Sequence, residues 1–552
     1  PALVAGLKFG KSMRWNASGV AFSRPIRWLV ALIGEVVIPV AYAGVASGRI
    51  TRGLRPYNSP EYLLTSSAEY FEVLRKQGII LSREARRTQI QQQVAALAAQ
   101  AGGRAPEDPA LLDEVTNLVE APTALLGKFE RRYLDLPREV LVTVMRKKQR
   151  YFAVEDAQGK LLPYFITVRN GDDQHLNLVA EGNEQVLRAR FADAEYFFSQ
   201  DTQKTLRDLL PRLNTLTFQE KLGSMFDKNQ RVGKLVEPLG ALLGLGVGPV
   251  ATAQEAAAVL KADLATQMVV EMTSLQGTMG REYALRSGFD PAVANAIYEH
   301  WLPRWADDVL PQSDAGTLLS VADRLDSLVG LFAVGLAPQS TADPYGLRRA
   351  ALGIIQIMIQ KDISADLTAA VAAAADVQPV PVSAEVRAQV VDFIGGRLRA
   401  WLEDQGYPND VLTAVLAAQS ANPARALAGV RELAGWVARP TWQLLLEAFA
   451  RCVRITRGES TQHAIAPERF EEPEETRLYE AYTMTAAQLT AESNVGAFLT
   501  AFEPMQPAIA AFFEKVLVNT PDEKLRASRL GLLQAISAMQ QGRADLSVVN
   551  GF

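Results

Sequence analysis

Residues 182–225 read GNEQVLRARFADAEYFFSQDTQKTLRDLLPRLNTLTFQEKLGSM. Within this stretch Leu187, Phe191, Ala194 and Phe198 fall at i, i+4, i+7 and i+11, the spacing of one apolar stripe along a helix. Arg188, Arg190, Asp193 and Glu195 lie off the stripe. The pattern predicts an amphipathic helix packed on a core, then a second short helix that begins around Asp201 and is stopped by Pro211.

Working outward, 552 residues exceed one hydrophobic core, so several domains of about 100–150 residues are expected. A hydrophobic content of 48% with 21% charged residues describes globular material rather than a disordered chain. The most apolar early stretch, residues 26–45, is broken by Arg27, Glu35 and Pro39, so no membrane span is predicted. One cysteine, Cys452, excludes an internal disulfide and a cysteine-rich zinc site, which fits a reducing, cytoplasmic setting. No leader follows Pro1, and residues are expected to precede it. With a net charge of −4, any RNA must be held by local basic patches rather than by total charge.

Residues 26–40 read as strands with Gly34-Glu35 as a hairpin turn. Gly6, Gly10, Lys11 and Ser12 fall one residue short of a phosphate loop. Gly244, Gly246 and Gly248 likewise miss the dinucleotide spacing and read as a helix end and linker. Residues 59–104 read as helical, with Pro60 near the start. Residues 118–171 read as mixed helix and strand, and residues 252–360 as helices throughout. The proline-rich VQPVPVS at 377–383 is a linker, followed only by helices.

Arginine gathers at Arg14, Arg24, Arg27, Arg49, Arg52 and Arg55. The densest basic run is Arg146, Lys147, Lys148 and Arg150, with Tyr151 and Phe152 beside it, a combination that suits an RNA backbone and a stacked base. In one helical turn the same run also reads as a solvated face. Arg348 and Arg349 follow Asp343-Pro344, where exposed helix amides suit a phosphate and an N-cap by Asp343 serves equally well.

LRARFADAEYFF and FQEKLGSMFDK, with MRW, RPIRWLVAL, GRITRGLR and TADPYGLRR, resemble the β subunit of bacterial heterotetrameric glycyl-tRNA synthetase. That family usually has a histidine where Leu54 stands. The resemblance implies a multidomain α+β chain. It places mixed α/β modules at 1–104 and 105–220, the second similar to part of the phenylalanyl enzyme's β subunit. An all-α HD-type domain follows at 221–376, a linker at 377–384, and an all-α DALR-type anticodon-binding domain at 385–552.

A true HD enzyme needs histidines beside its aspartates to hold metal ions, whereas here that position reads Ala262-Asp263 and only three histidines exist in the chain. The fold is therefore expected to persist with its metal site degenerate, Asp263, Asp323 and Asp326 remaining and His300 packed or hydrogen-bonded. This counts against the alternative of an HD-type metal phosphohydrolase. An arginyl-type synthetase is disfavoured because class I strings are absent.

The resemblance further implies a chain that positions tRNA(Gly) for ATP-dependent glycylation by a catalytic α subunit, separate in an α2β2 assembly or fused. No catalytic site, cofactor or metal is expected on this chain, with ATP and Mg2+ at the α subunit, and neither DNA nor membrane as a partner. The expected tRNA contacts are Arg49, Arg52, Arg146, Lys147, Lys148, Arg150, Arg188, Arg190, Arg348, Arg349, Arg454, Arg526 and Arg529. Arg451 and Arg457 flank Arg454 on the helix expected to meet the anticodon arm.

Overall fold

The computed structural model describes residues 1–340 and 342–552, in two compact units, 1–203 and 204–552. The first unit opens with short strands. Leu32–Ile33 pairs antiparallel with Val36–Val37 around the predicted Gly34-Glu35 turn. Residues 59–104 are not continuously helical: Glu61–Leu63 pairs as a strand with Ile50–Arg52, and helix resumes at Glu69–Lys76 and α1 (Arg83–Gln100). Alternating exposed and apolar residues after Pro60 favour an edge strand over a helix start.

The remainder of this unit is a three-stranded antiparallel sheet between helices. After α2 (Pro109–Leu118) come β1 (Pro122–Lys128), β2 (Phe152–Glu155) and β3 (Leu161–Asn170), in the spatial order β1-β3-β2. Side chains alternate across the sheet as strand geometry requires. Ala124, Phe152 and Ile166 face Ile90, Val94 and Ala98 of α1 and Leu111, Leu112 and Val115 of α2. Phe165 points the other way and stacks on Tyr151 at 4.6 Å. A side chain at Gly127 would meet the Phe165 ring at 2.3 Å, which is why glycine stands there.

The stripe quoted at the outset lies on α3 (Leu176–Asp201). Leu187, Phe191 and Ala194 are fully buried, and Phe191 sits edge-on to Phe129 at 5.0 Å. Asp201 ends this helix instead of starting the next. The following turn is Leu206–Leu209, begun by a capping box of Thr205 and Asp208, and Pro211 falls at the second position of a 3-10 turn, Leu210–Thr215. Proline is tolerated there because its missing amide has no partner to lose.

The second unit is almost wholly helical. Its first half contains α4 (Met225–Leu242), α5 (Val247–Ala257), α6 (Pro291–Glu299), α7 (Asp314–Ala333), α8 (Leu347–Gln360) and α9 (Leu367–Asp376). The glycine-rich segment at 240–250 is the end of α4, a short turn and the start of α5. α7 is the central helix, buried along nearly its whole length. After a short non-helical segment come α10 (Ala384–Asp404), α11 (Asn409–Gln419), α12 (Pro423–Val437), α13 (Trp442–Thr456), α14 (Pro473–Ala486), α15 (Val495–Phe502), α16 (Gln506–Lys515) and α17 (Glu523–Ala538). A 3-10 turn at Glu503–Met505 separates α15 from α16, with Pro504 in the turn and Pro507 in the first turn of α16 each lacking an amide donor. Leu525, Leu532, Leu533 and Ile536 are buried on α17. No described helix is long and apolar enough to cross a membrane.

Candidate nucleic-acid interface

In the first unit most of the expected cations are already engaged. Arg49 donates to the carbonyls of Glu35, Leu64 and Thr65, tying loops together. Arg52 pairs with Glu61 and lies 5.4 Å over the Trp28 ring. The densest basic run winds as a π-helical turn, Val144–Gln149, closed by Arg150 at φ 59°. Arg146 pairs with Asp108, Arg150 with Glu114 at 2.8 Å and Arg188 with Glu130 at 2.7 Å. Lys147 and Lys148 are exposed. Arg190 is exposed with no carboxylate within ion-pair distance among the described residues. The reading of Tyr151 and Phe152 as a base-stacking surface is corrected: both rings are buried, and the Tyr151 hydroxyl donates to Asn183.

In the second unit, Thr341 of the TADPYGLRR string lies outside the described residues. Asp343 accepts from the amides of Leu347 at 2.8 Å and Arg348 at 2.9 Å, so its own carboxylate fills the anion position at the start of α8. The phosphate reading of those amides is therefore corrected in favour of the cap. Arg348 donates to the carbonyls of Ser340 and Ala342, while Arg349 is exposed.

Arg451, Arg454 and Arg457 line one side of α13 and its end, at i, i+3 and i+6. They are held by rings rather than by acids. Arg451 lies 4.5 Å over Phe513, and Arg454 and Arg457 lie 5.5 and 5.9 Å from the ring of Phe552. Such guanidiniums keep their full charge for a phosphate while the rings fix their planes. Arg526 is exposed and reaches Glu459 at 3.5 Å. Arg529 is corrected. It is 4% exposed and makes a two-pronged ion pair with Glu475, at 2.7 and 2.9 Å, so it holds α17 to α14 and has no free face for RNA.

The aspartates of the HD-like segment converge on a buried polar centre whose cations are ammonium and guanidinium groups. Lys228 and Lys261 each approach Asp323 at 3.1 Å, and Lys228 and Arg231 hold Asp326 at 2.9 and 2.6 Å. Burial works against charge on Lys228, but Asp323 and Asp326 outweigh it and keep this amine above its ordinary value. Burial and the neighbouring Lys228 charge depress Lys261. His300 is fully buried; it accepts from Lys261 at 3.2 Å and donates to the Ile297 carbonyl. Burial, then the Lys261 charge, hold its pKa well below the usual imidazole range. Asp263 accepts from the Gly277 amide at 2.6 Å, and burial raises its pKa. Among the described residues Arg324 has no acid within ion-pair distance; the carbonyls of His300, Trp301, Pro303 and Ser320 surround it, and burial lowers its pKa to about 10. His300 is thus hydrogen-bonded, as the sequence suggests.

The glycyl-tRNA synthetase beta subunit family model matches residues 1–417. The chain belongs to this family. It is 41% identical over 99% of its length to a glycine–tRNA ligase beta subunit of Moorella thermoacetica, and 40% identical over 99% to one of Myxococcus xanthus, spanning 80% of each. A glycine–tRNA ligase, chloroplastic/mitochondrial 2, of Arabidopsis thaliana is 40% identical over all of this chain, which spans about half (52%) of that relative's length.

Two features of this glycyl β-subunit chain escape the linear reading. Lys228 heads the buried stripe Val232, Leu235, Val236 and Leu239. A lysine at a stripe position is the signal that a charge is being carried into a core, where it needs a carboxylate partner. Arg397 and Trp401 stand at i and i+4 on α10, and fold packing sets them beside Arg349.

Proposed function

We propose that this chain is the tRNA-holding β portion of a glycine–tRNA ligase, acting with a catalytic α polypeptide that binds ATP and Mg2+ and joins glycine to the tRNA 3′ end. The observation that carries the reading is the 41% identity over 99% of the chain to a glycine–tRNA ligase beta subunit. The division 221–376 HD-like and 385–552 DALR-type belongs to the same proposal, with the arginine side of α13 meeting the anticodon arm. Supporting it, Arg451, Arg454 and Arg457 carry ring partners and no acid partner within ion-pair distance among the described residues. The candidate contacts that remain exposed are Lys147, Lys148, Arg150, Arg188, Arg190, Arg349, Arg454 and Arg526, of which Arg150, Arg188 and Arg526 reach Glu114, Glu130 and Glu459. Fixing the tRNA at a distance still accelerates transfer, because the lost freedom of the acceptor end is supplied by binding.

The test is glycylation of tRNA(Gly) by the α polypeptide with and without this chain. The reading expects charging only with both present; equal charging by α alone would overturn it. An HD-type phosphohydrolase has no supporting observation, since Asp323 is bound on two sides by ammonium groups.

A further inference from the structure

A cavity of about 370 Å³ opens between α8 and α10, within the roughly 300–1,000 Å³ typical of sites that hold one small ligand. α8 contributes Arg348, Arg349 and Gln356; α10 contributes Arg397, Trp401 and Asp404, at i, i+4 and i+7. Packing one helix face against the other brings these residues together, so the composition is built by the fold and not by a single charged run. Gln356 is buried and spends its amide on the Ala306 carbonyl at 2.6 Å, and Arg348 is tied to backbone carbonyls. Arg349, Arg397 and Asp404 are different. None has a hydrogen-bond or ion-pair partner for its side chain among the described residues, although guanidinium and carboxylate line the same cavity.

We propose that this cavity is a nucleotide site for single-stranded RNA, with the phosphate between Arg349 and Arg397 and the base on the half-buried Trp401 ring. Two planar guanidiniums suit a phosphate, and an indole accepts any base by stacking. Asp404 supplies an acceptor for a ribose 2′-hydroxyl or a base amine, a group that bare phosphate would leave idle. The proposal rests on the reading that this chain holds tRNA and places an unpaired tRNA nucleotide between α8 of the HD-like division and α10, the first helix after the segment at 377–383.

The test is tRNA(Gly) binding, by filter retention across a salt series, to the complex of this chain with its α polypeptide. R349Q/R397Q is expected to weaken binding about tenfold and to flatten the dependence of log affinity on log salt by about 0.7, the slope expected of one single-strand phosphate. W401L is expected to weaken binding about tenfold at an unchanged slope, with W401F close to wild type. R349Q alone, at an exposed position, keeps the test valid if a change at Arg397 or Trp401 disturbs packing. Wild-type affinity and slope in these variants would overturn the site while leaving the tRNA reading intact. Unchanged tRNA affinity with loss of the α polypeptide would overturn it in favour of a protein contact. A wild-type complex that binds no tRNA would overturn both.

Discussion

Arg526 and Arg529 stand three residues apart and share a sequence environment, yet their fates diverge. Arg526 reaches solvent, whereas Arg529 meets Glu475 where both are removed from water. Removing one member of a buried pair leaves an uncompensated charge, so R529M is expected to cost about 3–5 kcal/mol in urea unfolding. R526A should leave the unfolding midpoint in place and reduce tRNA affinity instead. A second residue-scale prediction concerns His300. Burial holds its folded pKa far below the ordinary 6.5, so under acid conditions the unfolded chain binds a proton that the folded chain refuses. Its contribution to stability is complete above pH about 6.5 and falls as pH drops below that value. Asp263, raised by burial, contributes with the opposite sign. The difference between wild type and H300Q isolates the histidine: melting temperature between pH 7 and 5 should decline less steeply in the variant.

At the scale of elements, sequence reading succeeds where one local force dominates. The stripe from Leu187 to Ala194, the Gly34-Glu35 turn, the mixed helix and strand of residues 118–171 and the helices after residue 384 need only periodicity and turn chemistry. It fails where proline has two meanings. Pro60 precedes an edge strand, and Pro211 enters a 3-10 turn instead of ending a helix. It fails again where function depends on which neighbour arrives from far along the chain. Glu114 for Arg150, Glu130 for Arg188 and Phe165 for Tyr151 cannot be read from local spacing, and they decide which of the candidate contacts are free. The start of α8 offers a direct test. D343A deletes the carboxylate that caps Leu347 and Arg348 and should lower stability by about 1 kcal/mol, measured as a shift of the urea midpoint. A larger loss of tRNA binding at constant stability would contradict the cap assignment.

For the whole molecule, a net charge of −4 means that RNA must be met by sites from which acids have been withdrawn. The ring-held arginines of α13 are such a site; in the cavity between α8 and α10, Arg349 and Arg397 have no acid within ion-pair distance among the described residues although Asp307 and Asp404 also line it, while both arginines of the densest basic run are paired, with Asp108 and Glu114. Local charge count therefore overstated the first unit and understated the second. If patches rather than total charge hold the tRNA, affinity must fall steeply with salt, since each phosphate neutralised releases counterions. The most direct measurement is binding of tRNA(Gly) and of a non-cognate tRNA, at low and high salt, by this chain assembled with its α polypeptide. The account predicts tight, salt-sensitive binding that prefers tRNA(Gly) and is weakened by R451Q/R454Q/R457Q. Binding that ignores salt, or that is unchanged when those arginines are neutralised, would contradict it.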